Sequence, residues 1–312
     1  MAFQMYQADC LQWLANCPPH TFHAVITDPP YGLREYTAPE IDKLRNGKGG
    51  VWRIPPKIGG SQRAPLPRFT VLTPQEVERM HDFFLEWGRR LLPTLVPGGH
   101  LFIAATTRWS HLVFHALEQA GFEKRTVIVR LVRTLRGGYR PKGAESEFPD
   151  VSSMPRSCWE PWGLFRRPFT GTLADNLRRW QAGGLRRSSA QSPFCDVVES
   201  GRTPRRERAI APHPSLKPQA FLRRLVWISL PLGVGTILDP FAGSGSTLAA
   251  AEALGYDSVG IEIDPEYVEI ARRAVPQLAA LSVEMPGFDL PEPDNGRRPY
   301  TTLPLFRQTV NA

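Results

Sequence analysis

Two short segments carry the residue types that could do chemistry. Thr27-Asp28-Pro29-Pro30-Tyr31-Gly32 follows one apolar run, and Asp239-Pro240-Phe241-Ala242-Gly243-Ser244-Gly245-Ser246-Thr247 follows another. In the first, consecutive prolines fix the backbone and remove two amide donors, leaving carbonyl acceptors and a carboxylate beside an aromatic ring. That array suits an amino group. The Asp28 carboxylate and the Pro29 carbonyl can take its two hydrogens, Pro30 stiffens the turn, and Tyr31 can stack on a planar ring. Taken alone, Asp-Pro-Pro also ends a strand in an ordinary turn.

The second segment reads as strand end, tight glycine turn and helix start, where small residues let a ligand approach the backbone. Glu262 closes the next apolar run, with Ile263 after it, and a carboxylate there can accept both hydroxyls of a ribose. The third glycine of a dinucleotide fingerprint is replaced by Leu248. An acid opening the loop suits a cationic or amino-bearing ligand better than a pyrophosphate.

The elements that must position these segments follow from periodicity. Phe3 to Asp9 and Ala24 to Thr27 read as short buried strands, separated by an amphipathic turn at Leu11 to Leu14. Thr73 before Pro74 marks the start of a helix to about Leu92, Pro97-Gly98-Gly99 a turn, and His100 to Ala105 a strand. A helix near Trp109 to Gln119 leads to a strand at Arg125 to Val132. After Pro218 come a helix to about Leu230, a strand ending at Asp239, the helix Thr247 to Leu254 and the strand Ser258 to Glu262. Helices alternating with apolar strands indicate an α/β sheet covered on both faces.

Two stretches interrupt the alternation. Residues 33 to 68 hold five prolines and eight Lys or Arg against three acids, as in a disordered insertion or a loop that closes on DNA. Residues 133 to 212 hold 15 basic and 8 acidic side chains, most of the chain's excess of 38 Lys plus Arg over 30 Asp plus Glu. Arginine pairs at 166 and 167, 178 and 179, 186 and 187, and 205 and 206 lie among Trp159, Trp162, Phe165, Phe169 and Trp180. This mix suits phosphate and base contacts, or a solvated surface over a small aromatic core. The net charge of +8 favours a polyanionic partner.

Cys10, Cys17, Cys158 and Cys195 lack metal-ligand spacing, so no metal site or disulfide framework is expected and the thiols read as reduced. No basic leader or run of about 18 apolar residues appears, and a soluble, cytoplasmic protein is expected.

With these motifs in this order the chain resembles the amino-group (N6-adenine or N4-cytosine) DNA methyltransferases of the beta subgroup, in which Asp-Pro-Pro-Tyr precedes Phe-x-Gly-x-Gly. His213-Pro214-Ser215-Leu216-Lys217-Pro218 is similar to that subgroup's His-Pro-x-x-Lys-Pro element. The resemblance covers about 1 to 132 and 213 to 275. It implies a Rossmann-like methyltransferase sheet, circularly permuted, with an inserted target recognition region. The corresponding parts are a catalytic half at 1–132, a recognition region at 133–212, a cofactor half at 213–284 and a tail at 285–312.

The resemblance also implies S-adenosylmethionine as cofactor. Its site would comprise Asp239, Pro240, Phe241, Gly243, Ser244, Gly245, Ser246, Thr247, Glu262 and Ile263, joined by Asp9, Cys10, His213, Ser215 and Lys217. Asp9 would receive the cofactor's adenine amino group from the strand next to Glu262. Asp28, Pro29, Pro30 and Tyr31 would be catalytic, on adenine N6 of double-stranded DNA. Cytosine N4 is the alternative, and an RNA or protein amino-group methyltransferase and a non-catalytic DNA-binding module also remain open. A cognate restriction enzyme is a conceivable partner. Thr302-Leu303-Pro304-Leu305-Phe306 resembles peptides that dock on sliding clamps, with packing on its own domain as the other reading.

Overall fold

The computed structural model describes residues 3–30, 57–58, 61–62, 72–132, 138–213 and 215–288. Tyr31, most of the basic loop, Pro214 and the 302–306 peptide lie outside them. The first half contains β1 (Phe3–Gln7), α1 (Cys10–Ala15), β2 (Phe22–Thr27), the isolated pair β3 (Lys57–Ile58) and β4 (Ser61–Gln62), α2 (Pro74–Leu91), β5 (Leu95–Ala104), α3 (Ser110–Gln119) and β6 (Glu123–Leu131). Then come β7 (Trp159–Arg166), α4 (Leu173–Trp180), β8 (Val197–Glu199), α5 (Arg205–Ile210), α6 (Gln219–Ser229), β9 (Thr236–Asp239), α7 (Ser246–Ala253), β10 (Asp257–Glu262) and α8 (Pro265–Ala279).

Eight strands form one sheet in the order β1-β10-β9-β2-β5-β7-β6-β8. All neighbours in it run parallel except β7, which is antiparallel to both β5 and β6. β1, from the start of the chain, pairs with β10 from its last third, Gln7 opposite Glu262. That adjacency is the permuted, Rossmann-like closure expected from the sequence, and it aligns the carboxyl ends of β1, β10, β9, β2 and β5 along one edge.

Alternation along the strands explains why both faces are covered. In β5, Leu101 and Ile103 pack with α2 and α3, while Phe102 and Ala104 face the opposite layer with α6. A further cluster joins α7 and α8 through Leu248, Val268, Ala271 and Val275. Helix α2 starts where the sequence marks it. Thr73 Oγ1 accepts from the Glu76 amide, and Glu76 Oε2 accepts from the Thr73 amide at 2.8 Å, a reciprocal cap around Pro74.

Three elements differ from the sequence reading. Pro97-Gly98-Gly99 is a bulge inside β5 and not a turn before it: Gly98 has φ +81°, and the register with β2 jumps from Phe22↔Leu95 to Ala24↔His100. Helix α8 carries an unrecognised start signal, Asp264 capping the Glu266 amide ahead of Pro265. The expected recognition region, 133–212, is not a body apart from the sheet. Its segment β7 fills the position between β5 and β6, with Trp162 and Phe165 fully buried.

β7 also places the first arginine pair. Because it runs away from the carboxyl edge, Arg166 ends opposite His100 and Glu123 at the far edge. There Arg166 pairs with Glu123 at 2.7 Å, Arg167 donates to the Pro93 carbonyl at 3.0 Å, and Arg186 stacks on Trp227 while donating to the Tyr256 hydroxyl. These cations cap and brace the bottom of the sheet, remote from Asp28.

If β7 belongs to the core, Phe165→Ala, which removes a ring packed edge-on to Phe114 and Phe122, lowers stability by about 3–5 kcal/mol. Urea denaturation checks this. A change below about 1 kcal/mol would place β7 in a dispensable appendage.

Candidate active site

Four chain segments meet at the carboxyl edge of the sheet. Asp239, at the end of β9, is 3% exposed. The Thr27 hydroxyl, at the end of β2, donates to its Oδ1 at 2.7 Å, the Phe241 amide donates to the same atom at 3.2 Å, and the Thr247 hydroxyl is also bound. Burial pushes the carboxyl up to about 6, with those hydrogen bonds opposing and the neighbouring Asp28 charge reinforcing.

The loop after Asp239 folds tightly because two of its glycines hold left-handed backbone, Gly243 at φ +49° and Gly245 at φ +83°. A Cβ on Gly245 would sit 2.5 Å from Val275 Cγ2, so helix α8 closes over the turn. On Gly243 it would lie 3.0 Å from His213 Nε2. Phe241 anchors the loop against Trp87 of α2, ring centroids 5.7 Å apart. The Gly243 amide donates to Glu262 Oε2 at 2.9 Å and the Asp264 amide to Oε1 at 3.0 Å. These two amides fix the plane of a carboxylate whose oxygens each accept more than one donor.

Beside it, Ile263 is 63% exposed, an apolar side chain offered to a flat group. Asp9 caps α1 through the Gln12 amide at 3.0 Å, and the Ala8 amide donates to the Glu262 carbonyl, so Asp9 and Glu262 end adjacent strands. Cys10 is buried, and burial, with Asp9 beside it, pushes its thiol up to about 12. It is a packing group and not a nucleophile.

The segment before α6 supplies the other wall. His213 lies edge-on to Tyr267, its Nδ1 accepts from the Ser215 amide at 3.1 Å, and burial with the Lys217 charge lowers it to about 4. A neutral ring accepting at Nδ1 carries its proton on Nε2, facing Gly243. Lys217 is buried. Its ammonium pairs with Asp28 at the end of β2 and with Glu160 of β7 at 3.2 Å.

Asp28, His213, Ser215, Lys217, Asp239, Phe241, Gly243, Ser244, Ser246 and Thr247 thus line one open cleft. Pro29 is buried beside it and Pro30 exposed, whereas Pro240, Gly245, Asp9, Cys10, Glu262 and Ile263 frame or extend the same edge. Glu160, Arg130 and Trp162 were not foreseen. Glu160 is a lone acid in Trp-Glu-Pro-Trp, and nothing local marks it as a partner of Lys217. Among the described residues no group of three or more His, Cys, Asp or Glu could hold a metal ion.

A family model described as DNA methylase matches residues 160–273, from β7 through most of α8. That match and the curated relatives together support an amino-group DNA methyltransferase. It is 24% identical over 269 residues to the type II methyltransferase M2.DpnII of Streptococcus pneumoniae, covering 86% of this chain and 88% of that one. To M.HindIII of Haemophilus influenzae it is 23% identical over 282 residues, covering 83% and 90%. The fold is shared with the M1.HpyAVI–SAM complex (TM-score 0.53, 18% identity, 88% and 98% covered) and with PvuII DNA methyltransferase, titled cytosine-N4-specific (TM-score 0.59, 14% identity, 92% and 89% covered). The family match opens at Glu160, which agrees with β7 being part of the catalytic sheet.

The buried charge on Asp239 has a stability consequence. Its folded-state value lies above the ordinary carboxylate value, so the stability it confers when protonated is lost as pH rises from about 4 to about 6. Asp239→Asn therefore makes the ligand-free protein more stable by ~1–2 kcal/mol at pH 7.5, read by thermal or urea unfolding. Equal or lower stability would mean that its hydrogen bonds outweigh the desolvation.

Proposed function

We propose that the protein transfers a methyl group from S-adenosylmethionine to the N6 amino group of adenine at a specific sequence in duplex DNA. The observation that carries this reading is the junction of β2 and β9. It sets an acceptor array, Asp28-Pro29, beside a glycine loop opened by a buried carboxylate, and the Thr27–Asp239 hydrogen bond couples the two.

The cleft fits the cofactor chemically. Asp239 offers a charge to its amino group, Glu262 takes the ribose hydroxyls, Ile263 covers the adenine and Asp9 receives the adenine amino group. Gly243, Ser244 and Gly245 keep the backbone close, with Ser246 and Thr247 opening α7. S-adenosylmethionine supplies a methyl carbon made electrophilic by its sulfonium. The protein's part is placement: the Asp28 carboxylate and Pro29 carbonyl accept the two amino hydrogens, so the nitrogen lone pair points along the attack line. As the N–C bond forms and the C–S bond breaks, positive charge builds on nitrogen, and Asp28 stabilises it until a proton leaves. Tyr31 stacks on the extruded base.

Asp at the first position of the Pro-Pro-Tyr segment supports adenine, since serine is commoner among enzymes of this family that modify the cytosine amino group. The type II methyltransferases it resembles support a site-specific DNA substrate, a cytoplasmic location and a cognate restriction enzyme. DNA recognition falls to residues 138–158, which lead into β7 at the site edge and expose Tyr139, Phe148 and Met154 beside Arg140, Lys142 and Arg156.

Labelled S-adenosylmethionine incubated with mixed-sequence duplex DNA, followed by digestion to nucleosides, places the label in N6-methyladenine. Label in N4-methylcytosine would move the reading to that amino group, and label only in RNA or protein would overturn the DNA assignment. Asp28→Ala reduces transfer by about 10²–10³-fold or more while cofactor binding persists. Cofactor affinity falls by about tenfold per pH unit below pH 6 as Asp239 takes up its proton, measurable by calorimetry.

A further inference from the structure

Lys217 stands in the His-Pro-x-x-Lys-Pro element that the resemblance gives to the cofactor, yet its ammonium is directed at the acceptor carboxylate. Its side chain is 8% exposed and contacts two carboxylates, Asp28 and Glu160, themselves 16% and 18% exposed. Glu160 is held from its own side of the sheet. Arg130 of β6 donates to its Oε2 at 2.9 Å and the Trp162 indole donates to the same oxygen at 3.0 Å, while Oε1 lies 3.2 Å from Lys217 Nζ. Arg130 is fixed in turn by the Ser200 hydroxyl at 3.0 Å and the Gly201 carbonyl at 3.1 Å, and by the face of Phe221. The chain Arg130–Glu160–Lys217–Asp28 runs along the carboxyl edge, from the end of β6 through the start of β7 to the end of β2.

We propose that Glu160 and Lys217 are positioning residues for Asp28: Glu160 anchors the ammonium, and the ammonium holds the acceptor carboxylate charged and oriented for the target amino group. The proposal rests on the methyl-transfer reading above. A carboxylate in this cleft is coupled to the neighbouring Asp239 charge, and a pair of acids without a cation would favour protonation of one of them. A protonated Asp28 would offer a donor where the amino group needs an acceptor. One ammonium between Asp28 and Glu160 removes that conflict.

It also restricts the carboxylate's rotation, because Nζ is tethered on its far side to a residue that two further donors immobilise. When the target amino group arrives, Lys217 keeps a second carboxylate partner, so Asp28 can shift toward the base without stranding a buried cation. A plain structural ion pair between β7 and the 213–218 segment would need no second carboxylate at the mouth of the cleft.

The test uses the full chain in single-turnover methyl transfer on duplex DNA, with cofactor affinity by calorimetry. Glu160→Gln keeps the shape and removes the charge; the rate at saturating cofactor falls about 10- to 100-fold, with cofactor Kd and DNA KM within about threefold of the parent. Lys217→Met falls at least as far, and Lys217→Arg, which keeps the charge, recovers part of the rate at the same cofactor Kd.

An unchanged single-turnover rate in Glu160→Gln overturns the proposal. So does a Lys217→Met enzyme whose cofactor Kd rises more than about tenfold and whose rate is restored by excess cofactor, because Lys217 is then a cofactor contact. Should Glu160→Gln fail to fold, the Lys217→Met and Lys217→Arg pair decides alone. Parent protein that labels RNA or protein but not DNA would sink the substrate reading, and the same variants on that substrate would still decide the role of Glu160.

Discussion

The Thr27–Asp239 hydrogen bond joins residues 212 positions apart and sets the geometry of everything at the reacting edge. It lies between two parallel strands that pair directly, Val25 opposite Leu238, so the chain's order in sequence has no bearing on which ends meet. Once β2 and β9 are neighbours, the Asp28-Pro29 acceptors and the glycine loop must share one cleft. β10 and β1 then extend the same edge outward with Glu262 and Asp9. A strand slipped by one residue would turn Thr27 to the other face and break the coupling.

Gathering acids at one edge costs free energy, and the structure offsets it unequally. Asp28 and Glu160 share Lys217, and Glu160 also has Arg130. Burial would raise Glu160, but Lys217 and Arg130 hold it down to about 2, so it stays ionised. Asp239 receives only neutral hydrogen-bond donors and is pushed up to about 6. Of these three carboxylates, Asp239 is the one held by neutral donors alone. On the proposed reading, the amino group of the bound cofactor would relieve that cost and so add to affinity.

What the sequence made legible was local. Thr73-Pro74 starts α2 because Thr73 and Glu76 satisfy each other's amides within four residues around Pro74, and the glycine loop is visible because only glycine tolerates φ +83° against Val275. The Asp28 and Asp239 motifs were recognisable for the same reason. What stayed hidden was non-local. Pro161 and Gly163 break the apolar run of β7, so its eight residues read as irregular although Trp162 and Phe165 are wholly buried. The pairing of Lys217 with Asp28 spans 189 positions, and no spacing rule reports it. Pro97-Gly98-Gly99 carried turn residues, but the positive φ they allow serves a bulge within a strand.

The direction of β7 decides which basic residues can meet DNA. An antiparallel strand between β5 and β6 begins at the reacting edge with Trp159 and Glu160 and ends at the opposite one with Arg166. Whatever precedes it is delivered to the cleft, and whatever follows it is carried away. Arg166, Arg167 and Arg186 therefore brace the sheet through Glu123, Pro93, Trp227 and Tyr256, away from the carboxyl edge. A guanidinium already spent on a carboxylate, a carbonyl or an indole face has fewer donors left for phosphate. On the proposed reading, the stretch left for a target is the shorter 138–158, which exposes Tyr139, Phe148 and Met154 and leads into β7 at the carboxyl edge.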